Sequence, residues 1–149
     1  MPRTETILVA EDDSNDAFFL QRAFKKAGIA TSLRFVRDGQ EAIDYLSGEG
    51  LYADRAAHPK PDLLLLDLKM PRMNGFQVLE WVRHQPGLKR LPVIIFTSSY
   101  EDKDINHAYD LGANSYLIKP HSSEDLTGVA KKVKQYWVDT NQIPDAFAE

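Results

Sequence analysis

Five polar residues stand where short apolar runs of this chain stop, and their types suit binding of a cation and a phosphoryl group. They are three carboxylates, one hydroxyl and one ammonium: Glu11, Asp12, Asp67, Thr97 and Lys119. If the fold brings the carboxylates together, two unit charges about 5 Å apart repel by roughly 3 kcal/mol at an effective dielectric near 20. One lysine cannot balance three such charges. An all-oxygen site with few protein ligands is suited to hexacoordinate Mg²⁺.

A site of this kind, once it holds Mg²⁺, can accept a phosphoryl group. Carboxylates are established nucleophiles, and Asp67 is the candidate for that role. The metal, the Lys119 ammonium and the Thr97 hydroxyl would contact the phosphoryl oxygens. The chain has no cysteine, which excludes thiol nucleophiles, thiolate metal sites and disulfides.

The four leucines at 63–66 indicate what positions Asp67. They are too few to span a membrane and too uniformly apolar for a half-exposed strand, so they predict a central strand covered on both faces. Pro71 and the Asn74-Gly75 pair follow, and both favour a structured loop after Asp67. Asp67 is therefore expected at the point where a buried strand ends.

Hydrophobic periodicity predicts five strands that alternate with five helices. The predicted strands cover 7–10, 32–36, 63–66, 92–97 and 115–118, and the predicted helices cover 14–27, 41–46, 76–82, 102–111 and 122–137. Ser14, Asn15 and Asp16 are good caps for the first helix, and Ser122 or Ser123 for the last. Residues 48–61 form the one extended irregular stretch.

This alternation predicts an α/β fold, a (βα)₅ doubly wound, flavodoxin-like parallel sheet of strand order 2-1-3-4-5. Ligands bind such sheets beyond the carboxyl ends of the strands, where the order reverses between strands one and three. The order therefore places the five polar residues at one edge. We expect one domain over 1–149, with a core at about 5–138 and a tail at 139–149.

Composition narrows the classes of function. The chain has 149 residues, of which 43% are hydrophobic and 27% charged, with a net charge of −4. A negative charge argues against nonspecific nucleic-acid binding, which depends on neutralising phosphates. No apolar run approaches the ~20 residues that span a bilayer, and the first residues lack the shape of a signal peptide. We expect a cytoplasmic protein that binds neither nucleic acid nor membrane.

These residues together resemble the receiver domains of two-component response regulators over nearly the whole chain. The resemblance rests on the acidic pair, on Asp67 before the Met70-Pro71-Arg72-Met73-Asn74-Gly75 loop, and on Thr97, Tyr116 and Lys119-Pro120. The spacing agrees as well, since Thr97 lies 30 residues (97 − 67) and Lys119 52 residues (119 − 67) after Asp67.

The resemblance implies that Asp67 takes a phosphoryl group from a phosphohistidine of a sensor histidine kinase. It implies that Asp12, Asp67 and the backbone carbonyl of Lys69 ligate Mg²⁺, with Glu11 supporting through water. Such a domain is not a conventional enzyme, although it catalyses its own phosphorylation and dephosphorylation. Thr97 would then move inward and Tyr116 would follow, changing the surface formed by the fourth helix, fifth strand and fifth helix.

A narrower resemblance is to the single-domain regulators paired with phytochromes. It rests on the Ser14-Asn15-Asp16 segment, the long insert before the third strand and Tyr136-Trp137. No effector domain fits within 139–149, so we expect the output to be a protein contact. The contact is either a homodimer through the switch surface or a downstream target or second relay protein. Residue 69 and Ser99 flank the path of water to a phosphoryl group, and in this family those positions tune its lifetime.

Two other classes of protein remain open from the sequence. A Mg²⁺-dependent phosphatase of the aspartyl-phosphate kind also uses a strand-end aspartate, but it usually carries a second aspartate where this chain has Lys69. A flavodoxin-like binding module would use the acidic edge only for a cofactor or partner. No Ser/Thr/Gly-rich phosphate loop follows the first strand, which argues against flavin.

Overall fold

Five parallel strands in the order β2-β1-β3-β4-β5 form the centre of the fold in the computed structural model, which describes residues 5–29 and 32–145. The strands are β1 (Thr6–Ala10), β2 (Ser32–Val36), β3 (Leu63–Leu66), β4 (Val93–Thr97) and β5 (Ser115–Ile118). The register pairs Ile7 with Leu63 and Leu64 with Val93. The predicted strand order and fold class are confirmed.

Helices connect successive strands, as parallel pairing requires. They are α1 (Ser14–Lys26), α2 (Gly39–Ser47), α3 (Gly75–His84), α4 (Asp102–Asp110) and α5 (Ser123–Lys132). A short 3₁₀ turn spans Gly50–Tyr52, and π-helical turns continue α5 over Val133–Thr140.

The four leucines of β3 alternate between two separate cores, one on each face of the sheet. Leu64 and Leu66 pack into the core beneath α2, α3 and α4, whereas Leu63 and Leu65 pack into the core beneath α1 and α5. None of the four is more than 2% exposed. Burial of a leucine side chain is worth about 1.5–3 kcal/mol. The end of β3, and with it Asp67, is therefore held firmly, as the uniform run of leucines predicts.

The N-terminal cap of α1 differs from the predicted one. The capping residue is Asp13, not Ser14, Asn15 or Asp16, because the Asp13 carboxylate accepts hydrogen bonds from the backbone N–H groups of Asn15 and Asp16 at 2.8 and 3.1 Å. Asp13 thereby satisfies two donors that every helix start leaves free. The consequence for the site is that the Asp16 side chain is available for another contact.

The last helix extends past its predicted end near Trp137, to Thr140. Val133 and Val138 are both buried in the core beneath α1 and α5, and their spacing of five residues equals the i→i+5 hydrogen-bond spacing of a π-helix. The start of the expected tail, residues 139–140, is thus helical. Residues 146–149 of that tail lie outside the described residues.

Residues 48–61, predicted as an extended irregular stretch, contain a 3₁₀ turn and are held by specific hydrogen bonds. The Arg55 guanidinium donates to the carbonyls of Tyr45 and Leu46 at 2.8 and 2.9 Å, satisfying carbonyl groups at the end of α2. The Tyr45 hydroxyl donates to the Pro59 carbonyl at 2.8 Å. The segment is therefore anchored at the C-terminal end of α2 before the chain enters β3.

Candidate functional site

The backbone of the sheet positions the polar residues that follow its strands. The N–H of Glu11 donates to the last carbonyl of β2 at 3.0 Å, and the N–H of Asp67 to the last carbonyl of β1 at 3.1 Å. The N–H of Lys119 donates to the last carbonyl of β4 at 2.7 Å. Each residue thus extends the hydrogen-bond ladder by one step, and all three meet at one edge as predicted.

Three carboxylates converge at this edge. One carboxylate oxygen from each of Glu11, Asp12 and Asp67 lies within 4.8 Å of the other two. Glu11 and Asp67 are only 5% and 6% exposed, whereas Asp12 faces solvent. Buried negative charges at this spacing demand a cation, and the all-oxygen donor set fits a divalent one.

Lys119 partly neutralises the cluster. Its ammonium lies 2.9 Å from Asp67 Oδ2 and 2.9 Å from Asp16 Oδ2, and it also pairs with Glu11. An ammonium has three N–H donors, and these three carboxylates can occupy all of them. Burial by itself would lower the pKa of Lys119, but the hydrogen bonds to Glu11, Asp16 and Asp67 outweigh it and raise that pKa.

Asp16 is a residue of the site whose contact with Lys119 was not predicted from the sequence. Because Asp13 caps the helix, Asp16 falls in the first turn of α1 with its carboxylate turned toward Lys119. The available signal was a further carboxylate only four residues beyond Asp12. Its partner lies 103 residues away in sequence, so the pairing itself carried no local signal.

Thr97 has a buried hydroxyl that lacks a partner. The residue is 0% exposed, and among the described residues its Oγ1 accepts and donates no hydrogen bond. Leaving a buried polar group unsatisfied costs about 1–3 kcal/mol. A phosphoryl oxygen on this sheet edge is a chemically suitable partner, as the predicted role of Thr97 requires.

Tyr116 is turned toward the protein interior. Its ring packs against the core beneath α2, α3 and α4, and its hydroxyl donates to the Ser99 carbonyl at 2.9 Å. Burial raises the pKa of Tyr116. The predicted movement of Tyr116 after phosphorylation remains a prediction.

The loop between β3 and α3 folds closely over Asp67. The Lys69 N–H points to Asp67 Oδ1 at 3.4 Å, while the Lys69 side chain is exposed. Arg72 has a positive φ of 63° and forms a bidentate pair with Asp38, the N-cap of α2. Arg72 is exposed, but its guanidinium is already engaged within the chain by Asp38. The Lys69 carbonyl stays a predicted ligand.

Gly75 closes that loop, and a side chain there is expected to destabilise the fold. A Cβ on Gly75 would lie 2.2 Å from the Asp67 carbonyl oxygen and 2.9 Å from Leu68 Cα, both of them backbone atoms. We expect Gly75→Ala to lower the free energy of unfolding by about 2 kcal/mol, as overpacking does. Urea denaturation measures this change.

Gly128 provides the matched control. It lies within α5, and a Cβ there would meet no atom within 4 Å. Because alanine favours helix over glycine, Gly128→Ala is expected to raise the free energy of unfolding by up to about 1 kcal/mol. Equal effects of the two substitutions would contradict the crowding at Gly75.

The raised pKa of Glu11 predicts that metal binding at this cluster depends on pH. Burial raises its pKa from 4.5 to about 7, although the Lys119 hydrogen bond works against the shift. Since a carboxylate near a cation must be deprotonated, Mg²⁺ affinity should fall as pH drops below about 7, approaching about tenfold per unit. Titration calorimetry at several pH values measures this dependence.

Glu11→Gln is the control for that titration, because glutamine carries no titrating proton. Its Mg²⁺ affinity should be weaker but flat across this pH window. In the metal-free wild type the folded state binds this proton more tightly than the unfolded chain. The free energy of unfolding should therefore decrease as pH rises from about 4.5 to about 7. An unchanged pH dependence in the variant would contradict the role of Glu11.

The fold and the site together define a class of protein: a parallel α/β sheet of order 2-1-3-4-5 with a metal-suited acidic cluster, a lysine and a hydroxyl at its carboxyl edge. The family model described as "Response regulator receiver domain" matches residues 7–131. The chain belongs to the response regulator receiver domain family.

Known relatives resemble the chain over nearly its full length. Response regulator Rcp1 of Synechocystis sp. is 34% identical over 142 residues, covering 95% of each chain. The structure of RPA3017, a response regulator in red light signaling of R. palustris, has a TM-score of 0.89 and 38% identity, covering 94% of this chain and 98% of that one. The phosphorylated cyanobacterial phytochrome response regulator RcpA has a TM-score of 0.88 and 35% identity, covering 95% and 99%.

These findings establish a response regulator receiver of the phosphorelay type, similar to the regulators associated with phytochromes. Receiver domains pair with histidine kinases and are generally not enzymes in their own right. The structure of Rcp1 was solved in a Mn²⁺-bound form, which agrees with the divalent-cation character of the acidic cluster. The phosphatase and flavodoxin alternatives are not favoured.

No helix in the described part of the chain is long and apolar enough to cross a bilayer.

Proposed function

We propose that Asp67 is the phosphoacceptor of this receiver and takes its phosphoryl group from the phosphohistidine of a sensor histidine kinase. One observation carries the proposal: Asp67 lies 2.9 Å from the Lys119 ammonium inside a cluster of three carboxylates at the carboxyl edge of the sheet. Neutralised by a cation, this edge becomes a place where an incoming phosphoryl group is attracted rather than repelled.

In the proposed transfer, an Asp67 carboxylate oxygen forms a bond to phosphorus as the P–N bond to the kinase histidine breaks. The histidine nitrogen leaves with the electron pair. Asp12, Asp67 and the Lys69 carbonyl would hold Mg²⁺, with Glu11 supporting through water, and the ion would neutralise charge on the phosphoryl oxygens. Lys119 and the Thr97 hydroxyl would contact those oxygens. The same groups would let the receiver catalyse its reaction with a small phosphodonor and its own dephosphorylation.

The proposed output is a change in the surface of α4, β5 and α5. Phosphorylation adds about −1.5 to −2 of charge, which attracts Lys119 and gives the Thr97 hydroxyl a partner. Tyr116 and the loop before α4 follow Thr97. Tyr109 and Ile118 are exposed apolar residues on α4 and β5, suited to a homodimer, a downstream target or a second relay protein. Moving such a switch from 1:99 to 99:1 needs about 5.5 kcal/mol.

The proposed kinase partner is of the phytochrome type and acts in the cytoplasm. The likeness to RPA3017 and RcpA supports the choice of kinase. Phe19 is 47% exposed on α1 and lines one pocket with Asp16 and Lys119, and the ring of Phe18, which is 58% exposed, lies 5.6 Å from the Phe19 ring. This exposed aromatic pair beside the site suits docking of a kinase helix.

Phosphorylation by acetyl phosphate tests the proposal. The protein should gain a single phosphoryl group in the presence of Mg²⁺, detected by intact mass spectrometry, and hydroxylamine should remove it as expected for an acyl phosphate. Chelation of the metal with EDTA should prevent labelling. Labelling of equal extent with EDTA would contradict the metal requirement, and steady turnover of a generic phosphate ester would favour a phosphatase instead.

A further inference from the structure

We propose that Asp104, in the first turn of α4, is a positioning residue that acts through Ser99. By holding the Ser99 hydroxyl it slows hydrolysis of the phosphoryl group on Asp67, and by holding the Ser99 backbone it keeps Tyr116 in place. The first half of this inference rests on the proposed function, whereas the second half does not.

The contact between Ser99 and Asp104 is short and directed. Ser99 Oγ donates to Asp104 Oδ2 at 2.6 Å, and both residues are half-buried. A hydroxyl bound to a carboxylate at this distance forms a charge-assisted hydrogen bond, roughly twice as strong as a neutral one. A serine has one hydroxyl hydrogen, and Asp104 occupies it. Ser99 therefore has no hydrogen to offer a water molecule.

Ser99 also holds Tyr116, the tyrosine of the predicted switch. The Ser99 carbonyl accepts the hydrogen bond of the Tyr116 hydroxyl at 2.9 Å. Asp104, Ser99 and Tyr116 thus form a continuous chain that joins α4 to β5 through the loop 98–101. Glu101 adds only a long contact, its N–H lying 3.4 Å from Ser99 Oγ.

Asp104 also lies beside a groove that reaches the acidic cluster at Asp12. It lines this groove, of about 520 Å³, together with Asp12, Lys69 and Asn74. Water in this groove passes between Asp12 of the acidic cluster and Asp104, the residue that holds the Ser99 hydroxyl. With Asp104 present, the Ser99 hydroxyl is bound to its carboxylate. Without Asp104, the hydroxyl is free to bind an incoming water molecule.

Hydrolysis is the step that this contact would slow. A water oxygen forms a new bond to phosphorus as the P–O bond to Asp67 breaks, yielding the Asp67 carboxylate and inorganic phosphate, which takes up the excess proton or releases it to solvent. A freed Ser99 hydroxyl can orient that water by hydrogen bonding. Orientation of a nucleophile by a positioned side chain raises rates, so release of Ser99 should speed hydrolysis.

A double-mutant cycle on the phosphorylated protein tests this half. The half-life of the acyl phosphate is measured for the wild type, Asp104→Ala, Ser99→Ala and the double variant. Asp104→Ala should shorten the half-life about three- to tenfold, a modest share of what a positioned group achieves. In the Ser99→Ala background, the second substitution should change nothing, because the hydroxyl through which Asp104 acts is gone.

Asp102 supplies the matched control, since it is the other acidic residue in the first turn of α4 and Asp102→Ala makes the same charge change. Its half-life should equal that of the wild type. An unchanged half-life in Asp104→Ala, equal shortening in Asp102→Ala, or equal shortening with and without Ser99 would each overturn the inference. Melting temperatures of all variants show that each one is folded.

The link between Asp104 and Tyr116 can be tested without phosphorylation, by measuring the environment of the Tyr116 ring. Fluorine NMR of fluorotyrosine-labelled protein reports it, with the resonance assigned by Tyr116→Phe. Asp104→Ala should shift or broaden this resonance, and Asp102→Ala should leave it unchanged. An unmoved resonance in Asp104→Ala overturns the link to Tyr116. If the wild type takes up no phosphoryl group at all, the proposed function and the hydrolysis half fail together, and the NMR result still decides the link.

Discussion

Replacement of Asp67 by asparagine is expected to reduce phosphorylation to background with either acetyl phosphate or a kinase as donor. The amide has nearly the same shape as the carboxylate but lacks a nucleophilic oxygen anion. Asp67 is 6% exposed and lies at the end of a strand whose four leucines are buried, so the site cannot rearrange easily to offer another carboxylate in its place. Intact mass spectrometry and hydroxylamine treatment measure the residual label.

The matched control is Asp13→Asn. Asp13 lies beside the acidic pair, and asparagine caps a helix about as well as aspartate, so α1 is retained. This variant should label like the wild type. The Asp67→Asn protein should melt no lower than the wild type without Mg²⁺, because one charge is lost from a repelling cluster. Labelling of Asp67→Asn at full stoichiometry would show that the phosphoacceptor is a different residue.

Replacement of Lys119 by methionine is expected to have the largest effect on stability among the site variants. It removes the cation that contacts Glu11, Asp16 and Asp67 while keeping an apolar side chain of similar length. Breaking a largely buried ion pair by removal of one partner costs about 3 kcal/mol. We expect that loss in the free energy of unfolding, measured by urea denaturation in EDTA.

Saturating Mg²⁺ should restore much of this loss, because the ion supplies the missing positive charge and binds the folded state. Its affinity for Lys119→Met should exceed that for the wild type, as titration calorimetry will show. Lys103→Met is the control: Lys103 is 80% exposed and pairs with Glu101 on the surface, where such pairs contribute about 0–1 kcal/mol. A Lys119→Met protein as stable as the control without metal would contradict the electrostatic role of Lys119.

Much of the fold could be predicted from local patterns. Strand order and the edge that carries the site follow from strands alternating with helices, since parallel strands must all end on one side. The uniform leucines of β3 indicated burial on both faces, and Leu63 and Leu64 indeed enter different cores. Periodicity is a property of neighbouring residues, and a sequence displays it directly.

Helix ends were harder to predict. Asp13, Ser14, Asn15 and Asp16 are all capable caps, and it is Asp13 that adopts the extended backbone of a cap and accepts hydrogen bonds from the first turn. The extension of the last helix over Val133–Thr140 depends on a core that α1 and α5 share. Such outcomes are decided by tertiary packing, which overrides local preference.

The sequence by itself determined which polar residues meet at the carboxyl edge of the sheet, because Glu11, Asp67 and Lys119 each stand directly after an apolar run. Only the tertiary structure decided how they are held. It joined Asp16 to Lys119 across 103 residues and the Tyr116 hydroxyl to the Ser99 carbonyl across 17. The physical reason is that an ion pair or a side-chain hydrogen bond depends on the directions of two side chains at the end of long, separate paths of chain. Residue type and strand-end position can be read from neighbouring residues. The directions of paired side chains are fixed only once the helices have packed on the sheet.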